Sequence, residues 1–198
     1  MIVYLHGFRS SPASRKTTML RERMTALGLA DHYLCPALPA SPLASIETVI
    51  AMVKDVEPAG LALIGSSLGG YYATALAEKI GCRAALLNPA IAPYRDLRDH
   101  VGVRPVYFSQ ETIDFRAEYL DELQAIDVER ITRPERYFLL AATGDAVIDY
   151  RSMVARFAGA RQRVIEGSDH ELSDFAQYMD EVLQFCGVDV QSRIGEGA

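Results

Sequence analysis

Short apolar runs recur along the chain, separated by longer stretches in which apolar residues return at helical spacing. Ile2-Val3-Tyr4-Leu5 is continuous rather than alternating, as expected of a strand buried on both faces. Similar short runs at 61–64, 84–87 and 137–141, with weaker ones at 32–35 and 162–165, predict six strands. Helices are expected at 12–27, 43–56, 68–80, 150–157 and 172–185. The first has Ser11 as its cap, Pro12 in its first turn and Gly28 just past its end. Strand and helix alternate throughout, which predicts a parallel sheet with helices on both faces, in the spatial order 2-1-3-4-5-6.

Residues 92–134 break the rhythm. They are rich in charge, and they lie between the fourth and fifth strands. A connection of that length is expected to form a small cap over the C-terminal ends of the strands; a helical crossover with solvated charges is the alternative. Residues 1–190 are read as one domain, and 191–198 as a frayed polar tail.

Composition narrows the class. The chain has 198 residues, a net charge of −6, and an apolar share of 49%, ordinary for a globular protein. The acidic balance argues against nucleic acid or an anionic membrane surface as the main partner. No apolar run approaches the ~20 residues of a membrane span. Neither a basic leader nor a cleavage site is seen at the start, and the three cysteines are scattered, so a cytoplasmic protein with reduced thiols is expected. The sequence contains no metal signature and no phosphate-cradling glycine loop, so neither a metal nor another cofactor is implied.

The chemistry gathers at the third strand. There, Leu61-Ala62-Leu63-Ile64 runs into Gly-x-Ser-x-Gly, with Gly65, Ser67 and Gly69 in the fixed places, and then into a helical run. This is the pattern of a nucleophile elbow: a turn so sharp that side chains two residues either side of the serine would collide. Ser67 alone has glycine at both −2 and +2, so it is the candidate nucleophile and Ser66 the filler. A base and an acid should follow in the order Ser, Asp or Glu, His. Of four histidines, His6 and His32 precede Ser67, and His100 lies in the irregular connection. His170, just after the last strand, is the candidate base. Asp145 stands directly behind the fifth strand and is the candidate acid; Asp149, at a helix start, is the alternative, with an N-cap as its other task. The N–H groups of Phe8 and Leu68 are the candidate oxyanion donors. His6 reads as a brace for the first loop. Arg9, Arg15 and Lys16 read as a solvated basic face, with a phosphate-bearing thioester as the alternative they could meet.

The start Tyr4-Leu5-His6-Gly7-Phe8-Arg9-Ser10-Ser11-Pro12, the elbow, the turn Asn88-Pro89-Ala90, and the Thr143-Gly144-Asp145 and Asp149-Tyr150-Arg151 pieces together resemble the small bacterial YqiA-type esterases of the α/β-hydrolase superfamily. The resemblance spans about residues 2–187, more weakly over 101–132. Ala146 and Leu172 depart from its pattern, standing where an acidic and an aromatic residue are expected. It implies an abbreviated α/β-hydrolase fold, hydrolysis of carboxylic esters or acyl thioesters, and Ser67, Asp145 and His170 as the triad. A peptidase or lactonase on the same machinery, and a binding module keeping a vestigial triad, are the competing readings.

Overall fold

The computed structural model describes residues 1–107 and 110–191. The expected tail therefore falls, from residue 192 on, outside the described residues. In chain order the elements are β1 Ile2–Leu5, α1 Arg15–Ala26, β2 Tyr33–Leu34, α2 Pro42–Val53, β3 Ala62–Ser66, α3 Leu68–Ile80 and β4 Arg83–Leu87. Then follow α4 Pro93–Asp96, β5 Gly102–Pro105, β6 Thr112–Phe115, α5 Glu118–Ala125, β7 Tyr137–Ala142, α6 Tyr150–Arg156, β8 Arg161–Ile165 and α7 Met179–Phe185.

The main sheet has six parallel strands in the order β2-β1-β3-β4-β7-β8. This is the order expected from the alternation. The reason is visible in β7. Tyr137, Leu139 and Ala141 face one apolar cluster, which includes Ile46 and Val49 of α2, Leu76 of α3 and Met153 of α6. Phe138, Leu140 and Ala142 face the other, with Leu20 and Met24 of α1 and Val182 and Leu183 of α7. Successive side chains point to opposite faces and both faces are covered, so every position must be apolar. Each fully buried Leu adds about 1.5–3 kcal/mol of transfer free energy. At the edge, β8 pairs on one side only, and it is correspondingly mixed: Val164 is half exposed, and Arg161 and Arg163 both reach Glu181 of α7, at 2.6 and 2.8 Å. Charge on an edge strand discourages pairing with another chain.

Three expectations need correction. The first helix starts at Arg15, not at Pro12: Ser11 accepts from Ala13 N–H at 3.3 Å and Thr17 Oγ1 bonds Pro12 O at 2.8 Å, so 11–14 form a separate turn ahead of it. The expected helix 172–185 is split into a single turn at Phe175–Gln177 and α7, because Leu172 sits at φ +48° and cannot begin a helix. The connection 92–134 is not merely irregular. It contains α4, an antiparallel β5–β6 hairpin and α5. It is tied to the body by aromatic edges, Phe8 on Phe115 at 5.1 Å, and by the Tyr71 hydroxyl donating to Leu123 O at 2.7 Å. Glu122 of α5 also accepts from the Ser41 hydroxyl at 2.6 Å and from Leu43 N–H at 3.0 Å, at the start of α2.

Between β3 and α3 the backbone turns at Ser67, which has φ 53° and ψ −120°. The two flanking glycines are required by contact. A Cβ on Gly65 would lie 2.2 Å from Gly69 O, and one on Gly69 would lie 1.9 Å from Leu5 O. Both clashes are with backbone, which cannot move aside. Gly69→Ala should therefore lose at least about 3 kcal/mol of stability in urea denaturation, at the upper end of overpacking costs. Gly60, around which a Cβ meets nothing within 4 Å, should tolerate alanine within about 0.5 kcal/mol in the same assay.

Candidate active site

Ser67, His170 and Asp145 come from three separate strand ends, and the fold brings them together. His170 Nε2 stands 3.2 Å from Ser67 Oγ, and His170 Nδ1 stands 2.7 Å from Asp145 Oδ2. The Asp145 side chain is fully buried, and that of His170 is 19% exposed. The carboxylate fixes the tautomer: Nδ1 carries the proton and donates it to Asp145, leaving the Nε2 lone pair for the serine hydroxyl. Oδ1 of Asp145 accepts from Val147 N–H at 2.7 Å and Ile148 N–H at 2.9 Å. Burial works to raise the Asp145 carboxyl. The bonds from His170, Ile148 and Val147 outweigh it and hold the group below the usual carboxylate range.

Asp149, the alternative acid, caps α6 by accepting from Arg151 N–H at 3.0 Å. Ser66 is the last residue of β3 and is buried. His100 packs edge-on to Phe8, ring centroids 5.8 Å apart. None of the three thiols is poised as a rival nucleophile. Burial pushes Cys82 up to about 11, and Cys35 and Cys186 up to about 12.

The loop after β1 lies directly against the serine. A Cβ on Gly7 would be 3.3 Å from Ser67 Cβ. His6 braces this loop: it is 8% exposed, its Nε2 accepts from Leu38 N–H at 3.1 Å, and its Nδ1 bonds Gly7 O at 3.0 Å. Phe8 and Leu68 line a cleft of about 470 Å³, together with Arg9, Leu38, Tyr72 and Tyr119. The insertion supplies part of its wall, including Ile113 and Arg116.

The basic face is not uniformly solvated. Arg15 is exposed, but Arg9 donates to Pro105 O at 2.7 Å and lies over the Tyr107 ring at 4.3 Å. Lys16 is buried, 7% exposed, and donates to Glu171 O at 2.6 Å. Neither this contact nor the set of bonds made by Asn88 has a local sequence signal. An asparagine ahead of a proline at a strand end is the only hint, and it does not say what the side chain would reach. Among the described residues no group of three or more His, Cys, Asp or Glu could hold a metal ion, and no helix is long and apolar enough to cross a membrane.

A parallel sheet of this order, with the strained serine at the end of its third strand, defines the α/β-hydrolase fold. The chain belongs to the family described as "Uncharacterised protein family (UPF0227)", whose sequence model matches residues 1–187; this is the YqiA family, an esterase family. Among solved structures it is similar to a protein of Agrobacterium vitis S4, provisionally described as a hydrolase. The TM-score is 0.76 at 17% identity, over 93% of this chain and 87% of that one. Est1E of Butyrivibrio proteoclasticus, solved with ferulic acid bound, matches with a TM-score of 0.68 at 14% identity, over 93% and 86% of the two chains. A monoacylglycerol lipase of Paleococcus ferrophilus matches with a TM-score of 0.67 at 14% identity, over 93% of each. At these identities the likeness is one of fold.

The His6 brace should make stability depend on pH. Burial pushes its imidazole below the ordinary histidine value, partly offset by the Gly7 carbonyl. The unfolded chain then binds a proton that the folded chain resists. The contribution is complete above the unfolded value and is lost as pH falls through it. The urea midpoint should drop between about pH 7 and about pH 5. In His6→Asn the drop should be shallower, read as the difference in slope between the two proteins.

Proposed function

We propose that this chain is a serine hydrolase of carboxylic esters or acyl thioesters, working through an acyl-enzyme. The observation that carries the reading is the continuous hydrogen-bonded line Asp145–His170–Ser67, at 2.7 and 3.2 Å. Family membership supports it, since the family is one of esterases.

In the first half-reaction His170 Nε2 takes the proton from Ser67 Oγ as the oxygen attacks the carbonyl carbon. The imidazolium is held by Asp145, whose depressed carboxyl stays ionised throughout. The carbonyl oxygen becomes an oxyanion and is met by the N–H groups of Phe8 and Leu68. Neither N–H donates a hydrogen bond to any of the described residues, and Leu68 is the first residue of α3, where an anion is favoured. The alcohol or thiol leaves with the proton from Nε2. Water then enters, gives its proton to Nε2 and hydrolyses the acyl-enzyme. The insertion 92–134 serves as a cap and shapes the substrate cleft through Ile113, Arg116 and Tyr119. No cofactor takes part in these steps. The substrate is a small molecule, and the acidic charge and free thiols accord with a cytoplasmic setting without nucleic acid as partner.

Ser67→Ala should abolish hydrolysis of p-nitrophenyl esters, a loss on the order of 10⁶ in kcat, and should abolish labelling by a fluorophosphonate while leaving the fold intact. Asp145→Asn should keep stability and lower kcat by roughly 10⁴, because the amide no longer selects the tautomer. Asp149→Ala should cost about 1 kcal/mol of stability and little activity. Exchanged losses for the two aspartates would overturn the assignment of the acid. A wild-type protein that binds esters without turnover and takes no probe would favour a binding module; turnover of peptides or lactones in preference to esters would favour the other hydrolytic readings.

A further inference from the structure

The loop that carries His170 is held by side chains rather than by a sheet or a helix. It follows β8 and belongs to no regular element. Three consecutive carbonyls in it each accept from a buried side chain of another part of the chain. Asn88 Nδ2 donates to Asp169 O at 2.9 Å and to His170 O at 3.1 Å. Lys16 Nζ donates to Glu171 O at 2.6 Å. Asn88 is 1% exposed and Lys16 7%.

The other end of the Asn88 carboxamide faces the strand that leads to Asp145. Its Oδ1 accepts from Ala142 N–H at 2.8 Å, and its backbone N–H donates to Leu140 O at 2.9 Å. The residues around it hold the serine: Ser67 N–H donates to Leu87 O and Ala90 N–H donates to Ser67 O, both at 3.0 Å. One short turn, 87–90, therefore touches the segments of all three residues. An asparagine offers one acceptor and two donors in a plane at short reach, and here all are used. It also tolerates the φ of +44° found at this position better than most residues do.

We propose that Asn88 is a positioning residue of the hydrolytic site, with Lys16 as the second half of the same clamp. It locks the His170 main chain to the end of β7, and so sets the separation of Nε2 from Ser67 Oγ. The proposal rests on the hydrolase reading above. Its physical basis is that the reacting groups must be held closely: a displacement of about 1 Å costs about 10²-fold in rate.

The test uses p-nitrophenyl butyrate for turnover, a fluorophosphonate to count active sites, and the low-field proton resonance of the His170 Nδ1–H. Asn88→Gly removes the carboxamide without straining the backbone. Asn88→Asp keeps the acceptor for Ala142 and, when ionised, loses both donors. Measured well below the unfolding midpoint, each variant should lose about 10²-fold in kcat per titrated site, with KM within about twofold, and the resonance should shift or broaden away. A kcat per site within about threefold of wild type, with the resonance unchanged, overturns the proposal and leaves Asn88 a packing residue. If neither Asn88 variant folds, Lys16→Met decides: about tenfold loss in kcat at a retained midpoint supports the clamp, by analogy with the loss of outer hydrogen-bonding partners at metal sites, and wild-type kcat overturns it. A wild-type protein without turnover or labelling defeats the hydrolase reading alone. The resonance then still reports whether the clamp positions His170.

Discussion

A backbone carbonyl and a helix meet at the centre of the molecule. Leu5 O, at the end of β1, lies where any side chain on Gly69 of α3 would have to go. The approach lets α3 start immediately after β3 with a single residue, Ser67, to make the turn. That residue takes a positive φ with ψ −120°, a conformation serine does not prefer. It stays there because both its backbone groups are held, by Leu87 O and by the N–H groups of Ala90 and Gly70. The local strain is offset by the packing of a sheet covered on both sides, and the result is a serine fixed between β3 and α3, against the Gly7 loop.

The same sheet explains why the other two residues arrive. Parallel strands all present their C-terminal ends at one rim, so loops after β7 and β8 open where β3 ends. The loop after β7 is stiffened by Asp145 itself, which accepts from the two N–H groups that follow it. The loop after β8 is braced from within by the Asp169 carboxylate, which accepts from Ser173 N–H at 2.9 Å, and from outside by Asn88 and Lys16, which hold the carbonyls of residues 169–171. Two different solutions hold the two halves of the Asp145–His170 pair.

How much of this was legible in the sequence follows from where each signal resides. Strands buried on both faces write themselves as apolar runs, so β1, β3, β4 and β7 carried a clear signature and the two outer strands a weaker one, and the order followed from the alternation. β2 is only Tyr33–Leu34, so the run read at 32–35 extended one residue beyond it at each end. The elbow was legible because its glycines are needed at fixed offsets, and His170 because few histidines follow Ser67. The β5–β6 hairpin was not. Its strands are four residues each, half-exposed, and hold Gly102, Arg104, Pro105 and Asp114. The start of α1 was misplaced because Ser11-Pro12 and Ser14 offer competing caps, and the three-dimensional turn at 11–14 decides between them. Lys16 and Asn88 make their bonds to residues 155 and 81–82 positions away. No local window holds such a partner, and a buried lysine looks like a surface one until the contact is seen.

The bond network at Glu122 ties the insertion to the body. Its carboxylate, on the insertion, closes the open end of α2 in the body by accepting from Ser41 and Leu43. Swinging the insertion outward would strip that helix end of its acceptor and bare the Phe8–Phe115 contact at once. Insertion and body are thus coupled elements, and moving one away would fray the first turn of the other. Amide exchange at the first turn of α2 would then track the docking of a segment some eighty residues further along the chain.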